Sequence, residues 1–339
     1  MERAADVNSE SPDALRRGAD VGEPRVLTRL LANRSMRAVL AIYAFAVILF
    51  FCSRFVSPSY ASFNYLWNVL VVATFIAVTG FGQGVVVLAG GLDLSIPGVI
   101  AFVGVVFTQV SLGSNTRAIW VVPLMLLMGT GIGVGNGIGV FYLRLAPVVA
   151  TLATNVILAG VVLVYTAGTP KGTAPGFVVH LAQSQVFGNV PLLVFFLLGF
   201  TVLGVLLLNG TVFGRYLYAA GSAPETAYLS AVPISRTIVS SYAVSGFCSA
   251  VAAMLLAGYA NQSYLGMGDP YLLLSLAAVV VGGAAISGGR GYFLGTLAGA
   301  FILATASTML SGTTLPEAVK QIVYAVAILV AVLATRQKE

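Results

Sequence analysis

Long apolar runs separated by single charged residues constrain this chain more than any other feature. Between Ala38 and Thr335 only twelve side chains are charged, at positions 54, 93, 117, 144, 171, 215, 225, 236, 269, 290, 317 and 320. A helix needs about 20 consecutive apolar residues to cross the hydrocarbon core of a bilayer. Outer-membrane barrels show alternating segments of about ten residues instead. The pattern therefore predicts an all-α integral membrane protein.

The composition agrees with this prediction. Hydrophobic residues make up 58% of the 339-residue chain and charged residues 8%, whereas a soluble domain carries roughly 25% charged residues. Cys52 and Cys248 each lie inside an apolar run and are interpreted as small hydrophobic side chains, so no disulfide framework is predicted. The net charge of +6 needs no nucleic-acid partner, because membrane topology accounts for it.

The apolar runs divide the chain into a polar tail and about ten transmembrane helices. Residues 1–36 lack apolar periodicity and are predicted to form a disordered cytoplasmic tail, and residues 37–335 one transmembrane domain. The predicted spans are 38–57, 65–88, 95–112, 118–142, 148–166, 189–208, 237–259, 271–287, 292–311 and 316–334.

The distribution of Lys and Arg sets the orientation of these spans. With the N-terminus inside, the cytoplasmic set holds thirteen basic residues, namely the seven arginines of the tail, Arg144, Arg215, Arg236, Arg290, Arg336 and Lys338. The outer set holds four, namely Arg54, Arg117, Lys171 and Lys320. Cytoplasmic segments carry an excess of Lys and Arg. Both the N- and C-termini are therefore predicted to be cytoplasmic, which an even number of spans satisfies.

Two hydrophilic segments separate the spans. Residues 167–188 are predicted to form an extracytoplasmic loop, and residues 209–236 the longest internal cytoplasmic loop. Because the second segment contains Tyr216, Leu217 and Tyr228, we expect it to pack on something. Two interpretations stay open, an amphipathic helix in the membrane interface and a docking site for a cytoplasmic partner.

The sequence contains no recognisable catalytic or metal-binding motif. It has neither the phosphate-binding pattern G-x-x-x-x-G-K-[ST] nor the zinc pattern H-E-x-x-H, and it has no G-x-S-x-G elbow. No carboxylate pairs with a histidine in a plausible span. An enzyme is therefore not predicted, and no metal or cofactor is expected on this chain.

Asp93 has two interpretations. Its carboxylate either caps the helix that begins near Ser95 or lines a translocation path. The stretch 90–95 (GGLDLS) is echoed by 282–287 (GGAAIS), and interrupted Gly-rich segments in matching positions often form transporter substrate sites. The residues predicted for the path or the helix breaks are Gly90, Gly91, Asp93, Ser95, Asn136, Gly282, Gly283 and Ser287.

Glycines predict close helix packing. Six of them alternate from Gly129 to Gly139 in the fourth predicted span, and Gly291, Gly295 and Gly299 share one face of a second helix that is rich in small residues. In lipid, small residues permit close approach of helices, and an Asn side chain can hydrogen-bond across them. We therefore expect a compact bundle.

Four motifs occur in order between residues 38 and 335. They are VVVLAGGLDLSIPG at 85–98, GNG followed by PVVATL between 135 and 152, GRYLYAAG at 214–221, and AAVVVGG with SGGRG between 277 and 291. Together they resemble the motifs of permease subunits from ribose/xylose-type bacterial ATP-binding-cassette (ABC) importers, in the superfamily of monosaccharide and branched-chain amino acid permeases.

The resemblance implies a type II-like ABC importer permease bundle of ten helices in the bacterial inner (plasma) membrane, translocating a monosaccharide by alternating access. Its implied partners are a cytoplasmic ATP-binding subunit that binds ATP and Mg, an extracytoplasmic sugar-binding protein, a second permease copy or paralogue, and membrane lipid. The implied ATPase-coupling residues within 209–236 are Gly214, Arg215, Tyr218, Gly221, Glu225, Ser230 and Arg236.

The sequence departs from the family pattern at three places. Residues 271–275 read YLLLS where family members often carry an acidic residue, residues 221–224 read GSAP in place of Gly-Asn, and residues 230–232 read SAV in place of S-G-[IV]. These departures leave the substrate class open and favour pairing with a non-identical permease. The alternatives are a branched-chain amino acid or nucleoside ABC permease, or an ion-coupled secondary carrier.

Overall fold

Helices follow the apolar runs along the described part of the chain. The computed structural model describes residues 34–311 and positions 316, 319, 321, 322, 325 and 326. Its helices are α1 (Arg34–Cys52), α2 (Phe63–Leu88), α3 (Ile96–Ser111), α4 (Asn115–Phe141), α5 (Pro147–Thr166), α6 (Gly176–Gln183), α7 (Leu192–Gly210), α8 (Val212–Ser222), α9 (Pro224–Leu229), α10 (Ile234–Ala260), α11 (Pro270–Val281) and α12 (Phe293–Ser311). A 3-10 turn (Ser53–Phe55) follows α1, and an antiparallel ribbon of β1 (Gln185–Val186) and β2 (Val190–Pro191) precedes α7.

Six of the described helices have the length and apolar composition needed to cross a membrane, namely α2, α4, α5, α7, α10 and α12. The stretch Val39–Phe55 and helices α3 and α11 are apolar but shorter. These findings confirm an all-α membrane protein. Nine of the predicted spans each coincide with a helix. The predicted span 316–334 and the predicted tail 1–36 lie almost wholly outside the described residues.

Helix α2 occupies the centre of the bundle. It packs against α7, α10, α11 and α12. In its most apolar stretch of 18 residues 89% of the residues are buried, whereas the corresponding figure for α5 is 17%. Lipid tails are as apolar as leucine, so apolar burial alone does not hold one helix against another. Close contacts and polar groups must fix the position of α2.

The glycines of α4 divide between two faces of the helix. Gly129, Gly133 and Gly137 face α10, and a Cβ added at Gly129 would lie 2.6 Å from the nearest α10 side chain. Gly131 and Gly135 have no neighbouring atom within 4 Å of an added Cβ. Residues four apart share a helix face, so an alternating row contacts a neighbour only at every second glycine. The predicted close packing is confirmed on this one face.

The sequence misplaced two boundaries. The predicted span 271–287 ends too late, because α11 stops at Val281 and a glycine turn follows. The predicted loop 209–236 is mostly helical, since α8 and α9 lie within it. Helix α8 begins after Thr211, whose Oγ1 accepts a hydrogen bond from the Gly214 N–H at 3.3 Å, and a threonine cap of this kind is a strong start signal.

Contacts between distant segments hold each end of the bundle. At one end, the Gly289 N–H donates to the Leu88 carbonyl at 3.0 Å, joining the turn after α11 to the end of α2. At the other end, the Gly113 N–H donates to the Thr173 carbonyl at 3.0 Å, two residues from Lys171. The segments predicted as cytoplasmic and as outer loops therefore lie at opposite ends.

Candidate functional site

Helix α2 ends in a Schellman turn at the predicted break. Gly90 has a left-handed backbone (φ +84), its N–H donates to the Val87 carbonyl at 2.9 Å, and the Gly91 N–H donates to the Val86 carbonyl at 3.0 Å. These two bonds satisfy carbonyls that the end of a helix leaves unpaired, and glycine is favoured at the left-handed position because it has no Cβ.

Helix α11 ends in the same way. Gly283 has φ +85, its N–H donates to the Val280 carbonyl at 2.9 Å, and the Ala284 N–H donates to the Val279 carbonyl at 3.1 Å. Gly283, and not Gly282, is therefore the structural counterpart of Gly90. The alignment of the two glycine pairs in the sequence is wrong by one residue, although both breaks occur where glycine predicts them.

The other glycine of the second pair has a packing role. An added Cβ at Gly282 would lie 2.5 Å from backbone atoms of Gly295 and Thr296, so α11 and α12 approach backbone to backbone there. Glycine at this position is required by space and not by its backbone angle, since its φ is −68.

The two breaks touch each other. The Gly289 N–H binds the Leu88 carbonyl, and an added Cβ at Gly288 would lie 2.9 Å from the Gly90 Cα. The predicted residue Ser287 is exposed, and its carbonyl lies 4.0 Å from the Cβ position of Gly90. The ends of α2 and α11 thus meet through backbone atoms with little side chain between them.

Helix α8 joins the same contact. An added Cβ at Gly221 would collide with the Leu88 carbonyl and lie 2.6 Å from the Gly289 N, and one at Gly289 would lie 2.5 Å from the Ser222 Cα. We refer to Leu88, Gly90, Gly221, Gly288 and Gly289 as the glycine junction. The structure therefore brings together a predicted coupling residue and a predicted helix break that the sequence placed in separate groups.

A tyrosine of α8 adds a side-chain bond beside the glycine junction. The Tyr218 hydroxyl donates to the Gly291 carbonyl at 2.8 Å. Burial, with a smaller contribution from Tyr292, raises the pKa of Tyr218 to about 12, so the hydroxyl keeps its proton at neutral pH. The bond ties α8 to the segment between α11 and α12.

The other predicted coupling residues divide into four exposed side chains and one buried glycine. Arg215 of α8, Glu225 of α9 and Arg236 of α10 are exposed, as is Ser230 at the end of α9, whereas Gly214 is buried and an added Cβ there would collide with the Leu208 carbonyl. The exposed side chains are in a position to contact another protein, and Gly214 is not.

The apolar component that the sequence indicates for segment 209–236 includes two side chains that this surface exposes. Tyr228 is 73% and Leu229 is 85% exposed, and both line a groove of about 430 Å³ together with Phe141 and Ile234. Their position beside the exposed Glu225 was readable from the segment 224–229 (PETAYL), once that segment is taken as a helix. We refer to these four groove residues as the α9 groove.

Asp93 is completely buried and fully hydrogen-bonded. Its Oδ1 accepts from the Ser95 N–H at 2.9 Å and from the Ser95 hydroxyl at 2.6 Å, and its Oδ2 accepts from the Ser245 hydroxyl of α10 at 2.6 Å. Asn136 of α4 donates to the Ser95 Oγ at 2.8 Å, and Thr154 of α5 donates to the Asn136 Oδ1 at 2.6 Å. This polar network links α4, α5 and α10 to the start of α3.

The hydrogen bonds of Asp93 lie beside the predicted helix start but do not cap the helix. The carboxylate accepts the N–H of Ser95, the residue before α3, and among the described residues no hydrogen bond joins it to the first turn of the helix. Asp93, Ser95 and Asn136 are each at most 4% exposed, and they line neither the α9 groove nor the cavity between α3 and α5. In this conformation they hold helices together.

The chain is similar to known membrane permeases. A family model described as "Branched-chain amino acid transport system / permease component" matches residues 65–333. The ribose import permease protein RbsC of Escherichia coli is 31% identical over 316 residues, covering 91% of this chain and 95% of that protein. The Bacillus subtilis protein of the same name is 33% identical over 278 residues, covering 80% and 85%. The autoinducer 2 import system permease protein LsrD of Yersinia pseudotuberculosis is 32% identical over 244 residues, covering 68% and 71%. No solved structure matches.

Proposed function

This chain belongs to the family of permease components of branched-chain amino acid transport systems, and from that premise we propose that it is the membrane-spanning permease subunit of an ABC importer. It is a multi-pass inner-membrane transporter component and not an enzyme. The proposed substrate is a small carbohydrate, a monosaccharide, because relatives named as ribose import permeases match nearly their whole length.

The proposed topology has ten spans with both termini in the cytoplasm. The support is geometric. Arg215 in α8, Arg236 at the start of α10 and Arg290 after α11 lie at one end of the bundle. The segment that contains Lys171 lies at the other end. The excess of basic residues marks the first end as cytoplasmic. The predicted tail 1–36 and the predicted span 316–334 complete this topology.

The proposed partners follow from the exposed surface at the cytoplasmic end. A separate ATP-binding subunit, which holds ATP and Mg, docks on the α9 groove and the charged side chains around it. An apolar groove with a polar rim is the composition expected of a docking site. A sugar-binding protein delivers substrate at the opposite end, and a second permease copy or paralogue completes the membrane part.

One observation carries the proposed mechanism. Helix α8 touches both break-bearing helices through the glycine junction, and it leads directly into α9, which carries the docking surface. A push from the ATP-binding subunit on α9 is therefore transmitted to the ends of α2 and α11 without an intervening loop. Alternating access then follows from a displacement of α11 against α2 at the glycine junction, driven by closure of the ATP-binding subunits.

Co-purification tests the proposed function. Tagged protein extracted in mild detergent should bring along a stoichiometric ATP-binding subunit, identified by mass spectrometry, and a second permease beside it would establish a heterodimer. Isolation of the chain alone, under conditions that preserve a known ABC complex, would overturn the proposal and favour an ion-coupled carrier.

A charge reversal tests the docking surface. Glu225→Arg should abolish sugar uptake while ATP hydrolysis continues uncoupled and membrane insertion is normal, because the Glu225 side chain is exposed in the first turn of α9. Uptake by proteoliposomes and ATP hydrolysis are measured on the same preparation. Unchanged uptake would remove this segment from the mechanism.

A further inference from the structure

The segment between α10 and α11 runs into the bundle along α3. Ser263 shares a hydrogen bond with Thr108 at 2.6 Å, near the end of α3. Farther along, an added Cβ at Gly104 would lie 2.8 Å from the Met267 sulfur, and one at Gly268 would lie 2.7 Å from the Pro97 Cα. An α-helix rises 1.5 Å per residue, so the segment descends about 16 Å along α3.

Helices α3 and α11 consequently begin inside the bundle. The second residue of α3 is Pro97, and α11 begins at Pro270, two residues after its contact with α3. The twelve residues of α11 extend about 18 Å, against a hydrocarbon core of about 30 Å. Non-helical backbone at such a depth is tolerated only where protein buries it or where it lines a water-filled cavity.

A cavity of about 210 Å³ lies beside this point. Its walls come from α3, α5 and the descending segment, and it is large enough for several water molecules, which each occupy about 30 Å³ in the liquid. Two of its lining side chains are strongly polar, Asn155 and Asp269, and among the described residues neither side chain has a hydrogen-bond partner. Asp269 is exposed toward this space.

The contrast with Asp93 makes this arrangement informative. Both acids stand where a short helix begins within the bundle, but Asp93 accepts three hydrogen bonds from Ser95 and Ser245, whereas the Asp269 carboxylate accepts none from the residues that the structure describes. An unpaired carboxylate at membrane depth is costly unless water or a ligand solvates it. Asn155 on the facing wall can both donate and accept hydrogen bonds.

We propose that this cavity is a stretch of the translocation path, and that Asp269 and Asn155 hydrogen-bond the hydroxyl groups of the sugar in transit. The proposal rests on the proposed function. A carboxylate that accepts and an amide that donates and accepts suit a neutral polyhydroxylated molecule, whereas Asp269 would repel an anion. Two contacts provide weak binding, which lets the sugar leave again.

Thiol labelling tests whether the cavity holds water. In a Cys52→Ala, Cys248→Ala background, Asn155→Cys, Asp269→Cys and Ala159→Cys each place a thiol on the cavity wall, and Leu203→Cys places one on the 67% exposed outer face of α7. The permease–ATPase complex in proteoliposomes is treated with a charged, membrane-impermeant methanethiosulfonate, without nucleotide and after trapping with vanadate. Cavity thiols should react at least tenfold faster than Leu203→Cys in one of the two states.

Transport by variants of the two polar residues tests the proposed hydrogen bonds to the sugar. Asp269→Asn and Asn155→Ala should each lower sugar uptake at least tenfold, while ATP hydrolysis stimulated by the binding protein is retained. The matched control Val156→Ala, on a 68% exposed face of α5 outside the cavity, should transport normally.

The outcomes separate this inference from the proposed function. Slow labelling of all three cavity thiols in both states, in a complex that contains its ATP-binding subunit, would overturn the path. Fast labelling with unchanged uptake by Asp269→Asn and Asn155→Ala would overturn the sugar contacts. Absence of the ATP-binding subunit overturns the proposed function instead, and the labelling still reports whether the cavity is wet.

Discussion

The breaks after α2 and after α11 begin with the same backbone turn and are then held in opposite ways. The first continues into the buried polar network of Asp93, in which hydrogen bonds of 2.6–2.9 Å join three helices to the start of α3. The second continues into Gly288 and Gly289, which contact α2 and α8 through backbone atoms and one interhelical hydrogen bond.

The two kinds of contact indicate which of the two breaks can move. A buried network is directional, and shifting it leaves polar groups unpaired at a cost of about 1–3 kcal/mol each. Backbone contacts between glycines involve no interlocking side chains, so small displacements there cost little free energy. We therefore infer that the first break is fixed and that the second transmits motion between α8 and the bundle.

The largest expected effect is at the fixed break. Asp93→Ala removes the acceptor for three donors from Ser95 and Ser245, and we expect the free energy of unfolding to fall by about 4 kcal/mol. Asp93→Asn is the matched control and should cost about 1 kcal/mol, because its amide can donate to the Ser245 Oγ. Unfolding in detergent is followed by modification of the buried Cys248 thiol in a Cys52→Ala background.

If Asp93→Ala lowered the free energy of unfolding only slightly, the first break would not be fixed by this network. The interpretation that Asp93 lines the translocation path would then be favoured. Transport by Asp93→Asn adds a second test. If the residue only holds helices together, uptake should follow the amount of folded protein.

A glycine of the second break gives the next largest effect. Gly289→Ala adds a Cβ 2.5 Å from the Ser222 Cα at a left-handed position (φ +69). The left-handed backbone costs about 1–2 kcal/mol and overpacking about 1–3 kcal/mol, so we expect a loss of about 3 kcal/mol together with at least tenfold lower uptake.

The control for this prediction is Gly168→Ala. Gly168 has a similar φ of +81, but none of the residues that the structure describes has an atom within 4 Å of an added Cβ, so we expect only the backbone penalty of about 1–2 kcal/mol. If both variants lose the same stability and both transport normally, the close contact of α8 at the glycine junction does not transmit motion. The proposed transport mechanism would then be wrong.

The sequence predicted much of this comparison. Long apolar runs located nine of the described helices, because a hydrophobic stretch of fixed length is a local property, and glycine pairs located both breaks. Asp93 was also identified, because a lone acid between apolar runs needs an explanation. The signal for helices α8 and α9 was weaker, since their apolar positions span only a few turns.

The sequence could not reveal which residues meet. A pair of adjacent glycines does not state which one takes the left-handed angle, so the equivalence of Gly90 and Gly283 needed coordinates. The descending segment depends on contacts such as Thr108 with Ser263, which are 155 residues apart. Its one local signal was the stretch 266–270 (GMGDP), in which two glycines and a proline surround an acid.

The equivalence of the two turns predicts a smaller, paired effect. Gly90→Ala and Gly283→Ala place Cβ atoms 4.0 Å and 3.6 Å from the nearest neighbours, so each should lose only the left-handed penalty of about 1–2 kcal/mol. Gly282→Ala should lose more, because its Cβ would meet the α12 backbone at 2.5 Å. The same thiol assay measures all three. Equal losses of stability for Gly90→Ala and Gly282→Ala, with no loss for Gly283→Ala, would instead support the pairing of Gly90 with Gly282 that the sequence predicts.

The smallest expected effect is a gain in stability and concerns α2. This helix precedes the first break and contacts the second through Leu88. Gln83 is 1% exposed, and neither its Oε1 nor its Nε2 has a hydrogen-bond partner among the described residues. A buried amide without partners costs about 1–3 kcal/mol in proteins, so Gln83→Leu should raise the free energy of unfolding by about 1 kcal/mol. The matched control is Thr79→Val, one turn earlier, whose hydroxyl bonds only to carbonyls of its own helix.

Transport decides what the unpaired amide means for the two breaks. If α2 is as immobile as its Asp93 network suggests, Gln83→Leu gains stability and keeps its uptake. If α2 moves with α11 during the cycle, Gln83 gains a partner in another conformation, and Gln83→Leu gains stability while uptake falls. Uptake and unfolding measured on the same preparation separate these outcomes, and a loss of stability would show that Gln83 is paired after all. The second result would confine the fixed region to α3, α4, α5 and α10, and would place α2 with the moving helices.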